Sequence, residues 1–248
     1  MVRRFFIQSE QLKVPFSILT GSDFNHLKNV LRLKPGDMIV LFDGVGTEYS
    51  GRIVKFSSAE AVVEIIDRKE AEAEQAVSIV IAQAFLKDKK MDLLVRGLTE
   101  LGVYRWNPFF SERSIPTPDP KRLASRADRW EKIMKEAVKQ CRRRRLMEIG
   151  AAVSYEEALR SGVSADVKII FWEKATETLS KKRIAVPEQN IRSVYALIGP
   201  EGGFSQSEAE RAIEEGFEPV GMGRRILRAE TAALAAAALL QFLFGDMG

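Results

Sequence analysis

Over about the first seventy residues, apolar positions come in short runs split by turn-forming residues, the pattern of a small β-rich unit. Phe24, Leu27, Val30 and Leu31 stand at helical spacing, predicting a short helix over Ser22–Leu33 that the turn Lys34-Pro35-Gly36-Asp37 ends. Strands are predicted over Met38–Phe42, Glu48–Phe56 and Ala61–Ile66, with Asp43-Gly44 as a hairpin signal and Gly46 loosening its loop. Short strands joined by tight turns suggest a small barrel. Asp67–Gln75 is charged and alanine-rich with no apolar face, and reads as a linker.

Beyond it the periodicity alternates between two and nearly four. Val77–Ala84 is a mostly apolar run, as a buried parallel strand would be. Asp88–Leu101 is a predicted helix with Met91, Leu94, Val95, Leu98 and Leu101 inward, stopped at Gly102. A strand over Tyr104–Phe110 precedes a long helix over Arg122–Cys141, where Leu123, Ala127, Trp130, Met134, Ala137 and Cys141 share a face. Trp130 at that spacing reads as core. Strands follow over Val167–Trp172, Val194–Ile198 and Glu218–Met222. Ser205–Glu215 is a helix with a capping box of Ser205 and Glu208, closed at Gly216. Thr231–Phe244 is a last helix, apolar on nearly every side, which must be buried all round or against another chain. This alternation predicts an α/β class with a mainly parallel sheet.

Composition narrows the chemistry. The 248 residues include one cysteine, Cys141, and one histidine, His26, so an internal disulfide, a cysteine-based zinc cage and an iron–sulfur site are excluded and no metal site is expected. The apolar run Phe5-Phe6-Ile7 stops at Gln8, too short for a signal-peptide core, and Thr231–Phe244 is too short for a membrane span. The expectation is a cytoplasmic protein with no membrane partner. The net charge is only +4, but Lys121–Arg145 holds eleven Lys/Arg against three Asp/Glu, so the basic character is local. That concentration, ending in Arg142-Arg143-Arg144-Arg145, suits a surface facing a polyanion; a solvated helix face is the plainer alternative.

Two C-terminal loops carry the candidate chemistry. Leu197-Ile198-Gly199-Pro200-Glu201-Gly202-Gly203-Phe204 joins a strand to a capped helix, and its glycines allow close approach of backbone to a ligand. Neither a dinucleotide Gly-x-Gly-x-x-Gly nor a P-loop lysine is present. The second, Gly221-Met222-Gly223-Arg224-Arg225-Ile226-Leu227-Arg228-Ala229-Glu230-Thr231-Ala232, enters the apolar helix. Glu230 and Thr231 suit a helix start, while the arginines suggest an anionic ligand or substrate.

These two loops resemble those of the RsmE family, small-subunit ribosomal RNA methyltransferases of the SPOUT superfamily, and the resemblance extends over essentially the whole chain. Asn25-His26-Leu27-Lys28-Asn29-Val30-Leu31-Arg32, Lys34-Pro35-Gly36-Asp37 and Phe42-Asp43-Gly44 resemble its PUA-like N-terminal domain. Thr99-Glu100-Leu101-Gly102-Val103, Ser111-Glu112-Arg113-Ser114, Arg129-Trp130 and Glu136-Ala137 through Gln140-Cys141 resemble its central signatures. Lys139 departs from a usual Glu, and Arg142–Arg145 is denser in arginine than the family pattern.

The resemblance implies a PUA-like RNA-binding β-barrel over 1–71 and a SPOUT α/β domain with a deep trefoil knot over 72–248. It implies a homodimer, S-adenosylmethionine as cofactor, and methylation of uracil N3 at uridine-1498 of 16S rRNA in the small ribosomal subunit. Cofactor contacts would come mostly from backbone of Leu197, Ile198, Gly199, Pro200, Glu201, Gly202, Gly203, Met222, Gly223, Ile226 and Leu227, with Thr231, Ala232 and an adenine wall of Phe171 and Trp172. RNA would be gripped by Arg3, Arg4, His26, Arg32, Arg113, Gln140, Arg142, Arg143, Arg144 and Arg145; for His26 the plainer reading is a hydrogen-bonded structural role. Arg113 and Glu100 could equally form a structural ion pair.

Methyl transfer needs an in-line nucleophile, and uracil N3 must lose its proton. The resulting charge on the ring carbonyls calls for a cation, Arg228 or, alternatively, Arg225. The proton acceptor could be Glu230, Glu201 or solvent. Two other readings stay open: a SPOUT enzyme acting on another base or a ribose hydroxyl, and a non-catalytic RNA-binding assembly factor.

Overall fold

The computed structural model describes residues 3–8, 10–70, 77–87, 89–115, 119–179 and 191–248. The chain divides into two compact units: Met1–Glu74 with Val138–Leu146, and Gln75–Ala137 with Met147–Gly248.

The first unit is a mixed sheet. Its strands are β1 (Arg3–Phe6), β2 (Phe16–Thr20), β3 (Met38–Phe42), β4 (Thr47–Phe56) and β5 (Glu60–Glu70), with α1 (Gly21–Asn25) between β2 and β3. The order is β1-β3-β4-β5-β2; β1 runs parallel to β3 and the other pairs are antiparallel. Register shifts at Ser50/Gly51 and Ile53/Lys55 bend β4 against β5. Phe5, Leu19, Phe24, Leu27, Ile39, Leu41, Ile53 and Val63 fill the core.

The predicted helix over Ser22–Leu33 is corrected. The α-helical part stops at Asn25, and His26–Val30 widens to π-type pairing, with Leu31 N–H donating to the His26 carbonyl (2.9 Å). The widening turns Val30 out to solvent while Leu27 stays buried, and Arg32 leaves the turn at φ +53°. The linker is also corrected: Asp67–Glu70 continue β5, paired to Thr47–Ser50. Backbone pairing alone carries that stretch, so it needs no apolar face. The remainder of the linker, 71–75, lies outside the described residues.

The arginine run belongs to this unit and is tied into it. Leu146 N–H donates to the Gly44 carbonyl (2.9 Å), and Arg145 bridges Gly44 and Val45. Glu48 on β4 pairs with Arg4 and, at 3.1 Å, with Arg144; Arg4 also donates to the Arg143 carbonyl (2.7 Å) and lies over the Phe42 ring. Arg4 and Glu48 are both largely buried, so each needs the other. Glu48→Gln is expected to lower unfolding stability by about 1–3 kcal/mol, read as a lower urea midpoint at unchanged m-value.

The second unit is α/β. Its strands are β6 (Ser78–Ala84), β7 (Arg105–Phe110), β8 (Glu148–Ile149), β9 (Val153–Ser154), β10 (Val167–Phe171), β11 (Ser193–Ile198) and β12 (Glu218–Val220). The helices are α2 (Lys90–Glu100), α3 (Pro120–Cys141), α4 (Tyr155–Gly162), α5 (Gln206–Glu214) and α6 (Ala229–Phe244); the last turn of α3 belongs to the first unit. The predicted helix start at Asp88 lies outside the described residues. The sheet order is β12-β10-β11-β6-β7-β8, all parallel, with β9 also on β7.

One face of the sheet packs Ala82, Phe109, Ile170, Tyr195 and Leu197 against Tyr155, Leu159, Ala209 and Phe217 of the α4 and α5 region. On the other, α6 lies on α2, β6 and β11. Trp130 is buried edge-on to Trp106, as its spacing predicts. The Ser205–Glu208 capping box on α5 forms, and α4 carries a second one, Ser154 with Glu157.

The start of α6 differs from expectation. Arg228 is the N-cap, and neither Glu230 nor Thr231 caps the helix. Ala233, Ala236, Ala237 and Leu240 are buried, but Leu239, Phe242 and Leu243 are exposed in the single chain.

Candidate functional site

Strand register sets the site. Phe171 at the end of β10 pairs with Ile198 on one side and Val220 on the other, and Ile198 pairs with Gln83 of β6. The loops after four adjacent parallel strands therefore leave the sheet at one level, the position where α/β sheets bind ligands. Trp172 N–H donates to the Val220 carbonyl (3.0 Å), Gly221 N–H to the Glu177 carbonyl (2.7 Å), and Thr178 bridges Gly221. The two sequence motifs are thus brought together, along with Phe171 and Trp172.

The Gly199–Phe204 loop is held from several sides. Gln83 is fully buried, and its Nε2 donates to the carbonyls of Gly199 (3.0 Å) and Ala84 (2.9 Å). Those acceptors fix the amide orientation and leave Oε1 buried with no hydrogen-bond partner. Gly203 sits at φ +67°, where a Cβ would lie 2.8 Å from a Glu173 carboxylate oxygen. Arg113 donates to the Gly202 carbonyl (2.9 Å). The alternative Arg113–Glu100 ion pair is not formed: among the described residues the Arg113 guanidinium meets backbone, and Glu100 is exposed on α2.

Glu201 accepts from Lys87 N–H (3.1 Å) and from Lys90 Nζ (2.9 Å). Burial pushes the Glu201 carboxyl upward, but the Lys90 hydrogen bond and backbone donors outweigh it and hold it below the usual carboxylate range. The Glu201 hydrogen bond raises Lys90 against a smaller opposing effect of burial. A lowered acid contributes stability above its unfolded pKa and loses it as acid is added; a raised base contributes below its unfolded pKa and loses it in alkali. The pair therefore persists from about pH 5 to about pH 10.

The second loop is open. Met222 and Leu227 are half-buried, Gly223, Arg224, Arg225 and Arg228 are exposed, and Ile226 is 87% exposed. Glu230 faces Lys90 at 3.5 Å, its Oε2 buried without a hydrogen-bond partner. Thr231 is exposed and Ala232 half-buried. Trp172 Nε1 is likewise buried and unpartnered. Three buried, unpartnered polar atoms, Gln83 Oε1 on β6 beside the Gly199 loop, Trp172 Nε1 just after β10 and Glu230 Oε2 in the first turn of α6, suit a compact ligand offering both donors and acceptors. Sequence reading missed Gln83, Lys90 and Glu173; a glutamine near the end of a mostly apolar strand was the available signal for Gln83.

The other cation candidates all lie in the first unit. Arg3 is exposed and donates to the Leu31 carbonyl (3.1 Å); His26 is exposed with its ring edge toward Phe5; Arg32, Gln140, Arg142 and Arg145 are exposed. Arg143 is half-buried and accepts from Arg4 through its carbonyl. Arg4 and Arg144 both pair with Glu48, which gives them a structural role within this unit. Lys139, the family departure, pairs with Asp23 at 2.7 Å.

The fold and site define a class, an α/β RNA methyltransferase domain joined to a PUA-type module. The RNA methyltransferase domain family matches residues 73–241, and the RNA methyltransferase PUA domain family matches residues 19–66. Ribosomal RNA small subunit methyltransferase E of Mesomycoplasma hyopneumoniae is 32% identical over 93% of this chain and 95% of that protein. The Bacillus subtilis protein of the same name is 28% identical over 97% and 96%. The crystal structure of the Neisseria gonorrhoeae enzyme bound to S-adenosyl methionine superposes with a TM-score of 0.89 at 33% identity, covering 100% of each chain. The chain belongs to the ribosomal RNA small subunit methyltransferase E (RsmE) family. No helix among the described residues is long and apolar enough to cross a membrane.

Proposed function

We propose that this protein methylates N3 of uracil at uridine-1498 of 16S rRNA, using S-adenosylmethionine, as a cytoplasmic homodimer acting on the small ribosomal subunit. The observation that carries this reading is the register that gathers the Gly199–Phe204 and Gly221–Ala232 motifs at one sheet edge. The unpartnered atoms there fit a ligand with adenine, ribose and amino acid groups. A knotted path through the 172–178, 199–204 and 221–228 loops belongs to the same proposal, and the exposed Leu239, Phe242 and Leu243 of α6 support the dimer.

S-Adenosylmethionine, when bound, supplies an electrophilic methyl group. The chain's residues do the rest. Backbone of the two loops and Gln83 hold and orient the ligand. Arg228, exposed at the α6 N-cap, stabilises the negative charge that spreads to the uracil carbonyls as N3 loses its proton, with Arg225 as alternative. Glu230 takes that proton: its Oε2 lacks a hydrogen-bond donor, whereas Glu201 is occupied by Lys87 and Lys90.

RNA grip falls to Arg3, His26, Arg32, Gln140, Arg142 and Arg145, with Arg143 beside them and Arg113 at the Gly202 loop. Replacing Arg32, Arg142 and Arg145 by glutamine is expected to weaken RNA binding and flatten the log K–log salt slope by about 0.7–0.9 for each phosphate no longer neutralised. Filter binding at several salt concentrations reads this; an unchanged slope excludes the patch.

The test of function is methyl transfer from labelled cofactor to small subunits from cells lacking the enzyme, with nucleoside mass spectrometry and mapping of the modified position. N3-methyluridine at position 1498 supports the proposal. A different methylated nucleoside means another SPOUT specificity, and no cofactor binding means a non-catalytic RNA-binding factor.

A further inference from the structure

Lys90, in the first turn of α2, lies outside both motifs. Its Nζ is 2.9 Å from Glu201 Oε1 in the β11 loop and 3.5 Å from Glu230 Oε2 in the first turn of α6. One ammonium thus joins three chain segments that packing alone would leave to slide. The two contacts are unequal. At 2.9 Å Glu201 receives a full charge-assisted hydrogen bond, reinforced by Lys87 N–H. At 3.5 Å Glu230 receives an ion pair and no hydrogen bond.

Around Glu230, Lys90 and the α6 N-terminus supply positive charge and Glu201, on the same ammonium, negative charge. Of the elements against α6, β6 and β11 contain no charged residue, Tyr195 of β11 is in the opposite core, and α2 carries Asp92, paired with Arg129 at 2.6 Å, together with Arg96 and Glu100. Arg228, the N-cap, is solvent-exposed, as are Arg224 and Arg225 in the loop before it.

We propose that Lys90 is a positioning residue: its ammonium latches the Gly199–Phe204 loop to the start of α6 and holds Glu230 in place to accept a proton. The latch stands on the Lys90 contacts alone; the proton-accepting consequence rests on the methyltransferase reading above.

The experiment compares the full-length wild type with Lys90→Gln, Lys90→Arg and Glu201→Gln. In the protein without cofactor, amide exchange in the 199–204 loop is expected to speed up several-fold in Lys90→Gln and Glu201→Gln. Lys90→Arg is expected to remain near wild type. In methyl transfer, Lys90→Gln is expected to lower kcat by 10-fold or more with KM for the subunit nearly unchanged. Lys90→Arg is expected to restore most of kcat. Unchanged loop exchange overturns the latch. A lowered melting temperature with kcat unchanged, or a loss of kcat that Lys90→Arg does not restore, overturns the positioning role. If the wild type methylates no subunit RNA, the functional reading fails, while loop exchange still decides the latch.

Discussion

Arg228→Ala is expected to lower kcat for methyl transfer by about 10²- to 10³-fold while cofactor affinity changes by less than about three-fold. The guanidinium projects from an exposed N-cap and has no ion pair among the described residues, so its removal leaves the local fold intact. What disappears is stabilisation of charge that exists only once N3 has lost its proton, and such an interaction enters kcat rather than ground-state binding. Single-turnover transfer with calorimetric cofactor titration separates the two. Arg225→Ala is the control: the roles are exchanged if it shows the larger loss. Lys at 228 is expected to recover part of the rate, since it restores charge but not the planar fork.

Gly203→Ala is expected to weaken cofactor binding by about 10- to 100-fold. Two strains act at once. The residue lies at φ +67°, a conformation costing a β-carbon roughly 1–2 kcal/mol. The new methyl would also meet the Glu173 carboxylate 2.8 Å away. Glu173 is a flexible, exposed side chain, so its part of the clash is removable. The double variant Gly203→Ala, Glu173→Ala is expected to regain several-fold affinity but not wild-type affinity, because the backbone strain stays. Full recovery in the double variant means that the φ value has no influence; no loss in the single variant means the loop is not a cofactor contact.

Much of this arrangement was legible from residues. An apolar run between two turn signals located β3 to the residue, and the Ser205–Glu208 box located the start of α5. The same box at Ser154–Glu157 starts α4, yet α4 has only two turns, too few for periodicity to mark. The π-type turn at His26–Val30 was illegible because widening one turn needs no special residue, only a backbone that keeps Leu27 inward. At the site, glycine and arginine spacing found the loops, and the family resemblance supplied their chemistry. Periodicity could not find Lys90, Gln83 or Glu173, since each acts across segments distant in sequence. Nor could charge counting tell Arg142 from Arg144: both add one positive charge, but Glu48 holds only the latter.

The first unit is made from two separated stretches, Met1–Glu74 and Val138–Leu146. A nascent chain therefore cannot complete its N-terminal unit when residue 74 leaves the ribosome. It must wait for about seventy more residues, roughly 4–14 s at ordinary translation rates. During that interval Glu48 and Gly44 lack the partners that Arg144, Arg145 and Leu146 provide. A fragment ending at 74 is for the same reason an unfinished sheet, and an autonomous version of this unit has to be built by splicing the 138–146 stretch back onto it.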